Sequence, residues 1–308
     1  MQATMKKRAV SAFPTRVKPG KLLKPVHQQG VTLIELMVGI AIGLLVVAVA
    51  LGALMVSRGI SGTVSDASNI QQQAAYVMRV IGTQMRQAGS LRVNMDYEAA
   101  TASAVEPYQA KVAIETYAPA SGANNPNSFD PAKDTIKGES ASVTVGYRRY
   151  KETIGSGTGT ISSSLSRNCL GGPEDSSEDQ RLESTFVFNA STATLSCGGN
   201  NTATSPQPIA QNVADFRIRY LLQDNTTGGN SKIKTASASA VGSSWSQVQG
   251  VEVCLELYGN EAIDMPSGSN YVDCSGTTRD MSTLTGARAK RMHMVFRNIF
   301  QLRSQGLM

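Results

Sequence analysis

One carboxylate, Glu35, stands at the start of a long uncharged segment. From Leu36 to Val56 no side chain is charged, and these 21 positions span roughly 30 Å as a helix, the thickness of a bilayer core. A carboxylate at the centre of such a span is unfavourable by about 2.5–3.5 kcal/mol, and by less near an end. The chemistry open to Glu35 is therefore ion pairing with a positive group. The alternative is a glutamate at a helix N-terminus, favoured by the macrodipole.

Four cysteines lie beyond this apolar segment: Cys169, Cys197, Cys254 and Cys274. They form no C-x-x-C pair and no histidine stands at zinc-finger spacing, so the sequence predicts no metal site. Four cysteines allow three connectivities. The sequential pairing, Cys169 with Cys197 and Cys254 with Cys274, is favoured because each pair brackets a stretch rich in Gly and Ser. Free buried thiols are the alternative.

Histidine is too scarce for the common catalytic units. His27 precedes the apolar segment, so a Ser-His-Asp or Cys-His unit would have to use His293, which lies in the strand-like run RMHMVF. A strand residue, satisfied or exposed, is the simpler interpretation. The sequence contains no P-loop, no G-x-G-x-x-G and no metal-ligand cluster. It therefore predicts no catalytic residue, no cofactor and no enzyme.

The charge of the chain is unevenly distributed. The formal net charge is +6, but residues 1–30 hold seven Lys and Arg and no acidic residue, so the rest carries −1. A basic segment before a span keeps the N-terminus cytoplasmic by the positive-inside rule. We therefore expect the body of the protein in the periplasm or outside the cell, where disulfides form.

Residues 31 to about 88 are predicted to form one long helix. After the apolar segment, apolar residues continue every three or four positions, while the positions between them are mostly polar. No proline interrupts the stretch, and the sequence Ala-Gly-Ser at 88–90 supplies a stop. Gly52, Gly59, Gly62 and Gly82 each weaken the helix by up to about 1 kcal/mol, so local bending is expected. The apolar residues of the second half are Ile60, Val64, Ala67, Ile70, Ala74, Val77, Ile81, Met85 and Ala88.

Beyond residue 90 the pattern changes to short β-type runs. In 251–258 alternate residues are apolar, which predicts a half-buried antiparallel strand covered by the apolar face of the helix. Polar segments near 121–128, 155–164, 198–207 and 225–244 are predicted loops. The candidate strands are 111–117, 141–150, 184–189, 215–222, 251–258 and 291–300.

The helix start resembles the type IV prepilin motif. Gly30, Thr32, Leu33, Glu35 and Leu36 match the pattern G-F-T-L-x-E, with Val31 where the family usually has phenylalanine. The resemblance implies cleavage after Gly30 by prepilin peptidase, which also methylates the new N-terminus at Val31. It further implies that Glu35 pairs with the α-amino group of a neighbouring subunit during filament assembly. An uncleaved bitopic protein with a chance Gly and Glu is the alternative.

The helix and the last hundred residues resemble PilW-type minor pilins, whereas residues 91–207 are not recognisably matched. The strings NIQQQAAYVMRVIGTQMRQAG, IAQNVADFRIRY, Trp245 with QVQGVEVCLELY, and RMHMVFRNIFQLR follow the order of that family. The family often has Gly-Cys after the helix, whereas Ser90 stands here. The resemblance implies a pilin-like α+β fold in which a long N-terminal helix packs on an antiparallel β-sheet domain. Its parts would be a cleaved leader (1–30), a helix (31–90, transmembrane over 31–56) and a globular domain (91–308).

The implied function is that of a minor pilin in a complex that primes type IV pilus assembly or caps the pilus tip. The partners implied are the inner membrane, prepilin peptidase, other minor pilins, the major pilin and the assembly platform. The protein would move from the inner membrane to the pilus, supporting twitching motility, adhesion and DNA uptake. Two alternatives stay open: a minor pseudopilin of type II secretion, and a tip adhesin or DNA-binding module.

Three weaker motifs have simpler interpretations. Gly39 and Gly43 form a G-x-x-x-G, which is common in apolar helices. The acidic run 172–179 lacks the spacing of an EF-hand and is read as a solvated loop. Arg148, Arg149 and Lys151, beside Tyr147 and Tyr150, are the best candidates for a DNA or surface contact, although charged residues on a solvent-facing strand are favoured.

Overall fold

A computed structural model describes residues 30–91, 129–150, 152–156, 159–173, 181–200, 205–224, 232–263 and 265–302. The first element of the structure is a long helix, α1 (Leu33–Gln87). The chain separates into two compact units, Met1–Met55 and Val56–Met308. Gly89 follows α1 with a φ of 69°, a left-handed conformation that favours glycine and ends the helix. The predicted helix of residues 31 to about 88 is confirmed.

Within the second unit, α1 buries one face. Five of its apolar residues, and Ala88 directly after it, enter a core shared with two β-sheets, and the six recur at spacings of three and four residues. Gly82 is needed for this packing, since a methyl group there would lie 2.7 Å from Cε1 of Phe300. Val64, predicted on the same face, is 64% exposed. The buried residues are Ile70, Ala74, Val77, Ile81, Met85 and Ala88.

The first sheet is antiparallel and has five strands. Its strands are β1 (Ile136–Gly138), β2 (Ser142–Arg148), β5 (Arg181–Asn189), β6 (Thr194–Gly199) and β7 (Gln207–Ala210), in that spatial order. A short helix, α2 (Pro131–Asp134), precedes it. The two-stranded hairpin β3 (Glu152–Ser156) and β4 (Gly159–Ser163) follows β2 in the chain.

The second sheet is also antiparallel and has four strands. Its strands are β8 (Val213–Asp224), β9 (Lys232–Ala236), β10 (Val248–Tyr258) and β13 (His293–Gln301), in the spatial order β13-β10-β8-β9. Helix α3 (Ala238–Val241) and three short 3-10 turns, Trp245–Gln247, Met281–Thr283 and Gly286–Arg288, lie in its connections. A second hairpin consists of β11 (Asn270–Val272) and β12 (Thr278–Asp280).

Strand β10 is buried on both faces, which corrects the prediction of a half-buried strand. Val251, Val253, Leu255 and Leu257 face the core that α1 enters, as expected. The β11–β12 hairpin covers the opposite face. A disulfide between Cys254 and Cys274 attaches the turn of the hairpin to β10. A polar face of a strand can be buried when a later segment of the chain supplies its partners.

The predicted strands in the described residues correspond to β2, β5, β8, β10 and β13. The predicted strand 111–117 and the loop 121–128 lie outside the described residues. Two predicted loops were wrong in part: 155–164 contains β4, and 225–244 contains β9 and α3. Each of these strands pairs with the strand before it in the chain, β4 with β3 and β9 with β8. Such local pairs can form without a regular alternation of apolar and polar residues, which is the pattern that predicts a strand.

Both disulfides of the structure follow the sequential pairing. Cys169 is bonded to Cys197 and Cys254 to Cys274, with Cα–Cα distances of 6.3 and 5.7 Å. Cys197, Cys254 and Cys274 are buried. Each bond therefore fastens the edge of a loop to a core strand, one in each sheet.

We expect non-reducing peptide mapping of the native protein to yield these two cross-linked pairs and no free thiol. The loops span 28 and 20 residues, for which the chain-entropy model gives about 3 kcal/mol of stability per bond. Removing one pair by a double Cys→Ser change should therefore lower the free energy of unfolding by about that amount. Quantitative alkylation of all four thiols without reductant would contradict the pairing.

Candidate functional site: the helix start and the fastening of the helix

The start of α1 is closed by a reciprocal cap between Thr32 and Glu35. Thr32 precedes the helix; its backbone N–H and its hydroxyl each donate to Oε2 of Glu35 at 2.9 Å. In return, the Glu35 backbone N–H donates to the Thr32 hydroxyl oxygen at 3.3 Å. This arrangement is a capping box, which satisfies two free N–H groups of a helix start. This cap was not among the predictions, although the T-x-x-E spacing of Thr32 and Glu35 is its sequence signal.

The two carboxylate oxygens of Glu35 differ in their hydrogen bonding. Within a single chain the carboxylate stabilises the helix start and is held by Thr32. Its remaining oxygen, Oε1, has no hydrogen-bond partner among the described residues. Glu35 is exposed, so this second oxygen is accessible from outside the chain.

The apolar segment of α1 has no packing partner in the described part of the chain. Every side chain from Val31 to Gly59 is exposed, and Val31 and Leu33 are 73% and 76% exposed. A methyl group at Gly39 or Gly43 would meet nothing within 4 Å. By length and composition, α1 contains one stretch able to cross a membrane. An exposed apolar surface this large is typical of a site that interacts with a membrane or with another protein.

Farther along, α1 is fastened to the loop after β10 by a buried aspartate. The carboxylate of Asp66, 4% exposed, accepts backbone N–H groups from Asn260 at 3.1 Å and Glu261 at 2.8 Å. The guanidinium of Arg291 donates to the carbonyls of Gly259 and Asn260 from the other side. The loop is therefore held between α1 and the segment before β13.

Replacing Asp66 by alanine should lower the free energy of unfolding by about 1–3 kcal/mol, because two N–H groups lose their acceptor. Unfolding in urea can be followed by the fluorescence of Trp245, the single tryptophan of the chain, which packs edge-on against Tyr220 with ring centroids 4.9 Å apart. Ser65→Ala, at an exposed neighbouring position, is the matched control. Equal stability of the Asp66→Ala and Ser65→Ala variants would show that the fastening is not needed.

A second polar fastening joins α1 to the first sheet. The buried side chain of Gln84 accepts a hydrogen bond at 2.9 Å from the hydroxyl of Ser184, in β5. The hydroxyl of Tyr147, in β2, lies 3.3 Å from the same oxygen and contacts the carbonyl of Arg167. Burial raises the pKa of Tyr147 far above its ordinary value, so this hydroxyl stays protonated and remains a donor.

The structure corrects the prediction for the neighbouring arginines. Arg148 and Arg149 are only 6% and 2% exposed, so they do not lie on a solvent-facing strand and present little surface to DNA. Arg148 stacks over the ring of Tyr150, with Cζ 4.9 Å from its centroid, and Arg149 donates to the carbonyl of Ser164. Lys151 and most of the acidic run 172–179 lie outside the described residues.

His293 is buried in a polar cluster beneath the β11–β12 hairpin. Its Nδ1 donates to Oε1 of Glu256 at 2.9 Å, and the hydroxyl of Tyr271 donates to the same oxygen at 2.7 Å. The imidazole lies between the rings of Tyr258 and Tyr271. Burial by itself would raise the pKa of Glu256, but the hydrogen bonds from His293 and Tyr271 outweigh burial and lower that pKa below its ordinary 4.5. Among the described residues, no group of three side chains is placed to hold a metal ion.

Because the pKa of Glu256 is lowered by folding, its contribution to stability is complete above about pH 4.5 and is lost as the pH falls through the folded-state pKa. We expect acidification to destabilise the wild-type protein more steeply than Glu256→Gln. Urea unfolding monitored by Trp245 fluorescence across this pH range measures the two slopes. Asp273, whose pKa is also lowered, is common to both proteins. Identical slopes would contradict this role of Glu256.

Comparison with known families matches two parts of the chain. A family model described as "Type IV Pilus-assembly protein W" matches residues 183–304, and one described as "Prokaryotic N-terminal methylation motif" matches residues 26–51. A search of curated proteins found no match. Among solved structures, a type IV-like pilin from Thermus thermophilus is similar, with 14% sequence identity and a TM-score of 0.35, covering 77% of this chain and 96% of that one.

The two family matches include the helix cap and the strands described above. The methylation motif contains Gly30 and the cap of Thr32 with Glu35, and the second match contains β8, β10 and β13 of the sheet that packs on α1. Pilins are structural components of filaments and perform no catalysis. By these two matches the chain is similar to PilW-like type IV pilins, which are structural proteins.

Proposed function

We propose that this minor pilin acts in the priming of type IV pilus assembly and takes a place at the pilus tip. The observation that carries the proposal is the exposed apolar helix. At its start, one carboxylate oxygen of Glu35 is hydrogen-bonded to Thr32. The second half of the helix packs on a domain that contains two disulfides. Such a protein works by assembly: the helix supplies the buried part of a filament and the domain is displayed.

The first step would be processing. Residues 1–30 would act as a cytoplasmic leader that prepilin peptidase removes after Gly30, leaving an N-methylated Val31. Residues 31–90 would be the helix, with 31–56 in the inner membrane, and residues 91–308 the periplasmic domain. The support is the matched methylation motif, together with the charge of the leader.

The second step would be incorporation into the filament. Oε1 of Glu35 would pair with the α-amino group of a neighbouring subunit while Thr32 holds the other oxygen. In an apolar filament core an unpaired charge is penalised, so this pair would select one axial position of the helix. Other minor pilins, the major pilin and the assembly platform would be the partners, and motility, adhesion and DNA uptake would follow from the pilus.

Deletion of the gene in the native host tests this proposal. Loss of surface pili with normal secretion of exoproteins is the expected result. Loss of exoprotein secretion with normal pili would instead identify a pseudopilin of type II secretion, the main alternative. A DNA-binding role has less support, since Arg148 and Arg149 are buried.

A further inference from the structure

A cavity of about 460 Å³ lies in the second unit, between the middle of α1 and the loop that follows β10. Small-molecule sites in proteins are commonly of this size. The helix wall includes Arg58, Gly59 and Gly62, and the loop wall includes Glu261 and Ile263. The two glycines have no side chain, so the helix surface is open at this place. We call this space the α1–loop cavity.

The loop wall of the cavity is held in place by backbone hydrogen bonds. The N–H group of Glu261 donates to the buried carboxylate of Asp66 at 2.8 Å. Farther along the loop, the N–H group of Ile263 donates to the carbonyl of Lys290 at 2.7 Å. Because a helix forms one wall and an anchored loop the other, the cavity has the pre-formed walls that are usual in ligand sites.

Two opposite charges line the cavity without pairing with each other. Arg58 and Glu261 are both exposed, and neither forms an ion pair within the described part of the chain. The loop residues beside them in the lining are apolar: Ala262, Ile263, Met265 and Pro266. The cavity therefore offers a ligand one cationic group, one anionic group and an apolar wall.

The cavity begins directly after the apolar segment of α1. Arg58 and Thr63 are two and seven positions beyond Val56, which corresponds to about 3 and 10 Å along the helix axis. The headgroup layer on each side of a bilayer core is about 5–8 Å thick. With residues 31–56 in the inner membrane, these residues lie at the level of the periplasmic headgroups. Lys and Arg are enriched on the cytoplasmic side of membranes, so an arginine on the other side favours a specific anionic partner.

Resting on the proposed function, we infer that the α1–loop cavity binds the headgroup of a membrane phospholipid that carries both a phosphate and a primary ammonium group, namely phosphoethanolamine. The phosphate accepts hydrogen bonds from the guanidinium of Arg58, whose planar fork suits it. The ammonium donates to the carboxylate of Glu261. Ile263 and Met265, which also line the cavity, contact the glycerol and the first acyl carbons. A phospholipid without an ammonium group leaves the carboxylate facing only negative charge, which is unfavourable.

Native mass spectrometry of the protein, purified in detergent from the native host, tests this inference. The protein is mixed in turn with dioleoylphosphatidylethanolamine, dioleoylphosphatidylglycerol and dioleoylphosphatidylcholine. One molecule of phosphatidylethanolamine should remain bound to each protein. The other two lipids should be retained about tenfold less, because phosphatidylglycerol has no ammonium group and the quaternary ammonium of phosphatidylcholine donates no hydrogen bond.

Two variants distinguish the roles of the two charges. Glu261→Gln should lower the retention of phosphatidylethanolamine about tenfold and leave that of phosphatidylglycerol unchanged, whereas Arg58→Gln should lower both. Arg219→Gln and Glu139→Gln make the same charge changes at exposed positions outside the cavity, and they should retain the lipid as the wild type does. Urea unfolding followed by Trp245 fluorescence verifies that each variant is folded.

Equal retention of the three lipids, or of none, would overturn the inference, and so would wild-type retention by either cavity variant. Displacement of the lipid by inorganic phosphate would also overturn it, since the site would then be one for free phosphate. Lipid retention is measured on the purified protein and does not depend on pilus assembly. Its failure would therefore refute the cavity site alone, whereas normal pili after deletion of the gene would refute the proposed function.

Discussion

A Glu35→Val protein should be inserted and cleaved normally, yet it should be nearly absent from surface pili. Valine suits the bilayer better than a carboxylate does, so membrane insertion should not suffer. The free oxygen of Glu35, however, would no longer be there to meet the α-amino group of a neighbour. Counting pili, and measuring the protein in sheared pilus fractions at equal expression, reports the effect.

The cap of Thr32 with Glu35 provides the control for that experiment. Thr32→Val removes the hydroxyl that holds the carboxylate but leaves the charge, so it tests the helix cap alone. Loss of a cap lowers helix stability by about 0.5–2 kcal/mol. If capping were the only role of Glu35, both variants would assemble almost normally. Wild-type piliation with Glu35→Val would rule out the intersubunit pair.

Changing Gly30 to leucine should leave the protein at its full length of 308 residues. The wild-type protein, by contrast, should begin with N-methyl-valine at position 31. A methyl group at Gly30 would meet nothing within 4 Å, so the change does not disturb the folded chain, and a failure of cleavage would reflect recognition by the peptidase. Intact-mass measurement of the protein from the native host distinguishes the two lengths.

Val31→Phe is the matched control, since it installs the residue that the prepilin pattern usually has at this position. It should be cleaved like the wild type. Retention of residues 1–30 in the wild-type protein of the native host would remove the prepilin interpretation altogether. Cleavage of Gly30→Leu at the normal position would show that the glycine is not what the peptidase requires.

The elements with strong periodicity were predictable from the sequence. The helix was visible because its apolar residues recur every three or four positions without a proline, and β10 because Val251, Val253, Leu255 and Leu257 alternate with polar residues. The hairpin β3–β4 and strand β9 could not be predicted from the sequence pattern. They are rich in Gly, Ser, Thr and Lys, and local pairing rather than an apolar face defines them.

Burial of charged side chains was the part that sequence patterns could not supply. Arg149 and Glu256 were expected at the surface because a charge at a strand position usually faces water. Both are buried because distant segments cover them: the carbonyl of Ser164 accepts from Arg149, and the hydroxyl of Tyr271 reaches Glu256. The cap at Thr32 differs from these long-range contacts, because Thr32 and Glu35 are three residues apart and their T-x-x-E spacing can be recognised in the sequence.

The two fastenings of α1 acquire a mechanical meaning in a filament under tension. Neither disulfide joins α1 to the sheets, so non-covalent contacts alone keep the buried face of the helix in place on the sheets when the helix is pulled. Asp66 and Gln84 hold the two ends of the buried face, roughly 27 Å apart along the axis. Sliding of the helix along the sheets would strain both fastenings and the apolar contacts between them at the same moment. Peeling from one end would strain them in succession. The arrangement should therefore yield at a higher force when sheared along the pilus axis than when pulled sideways.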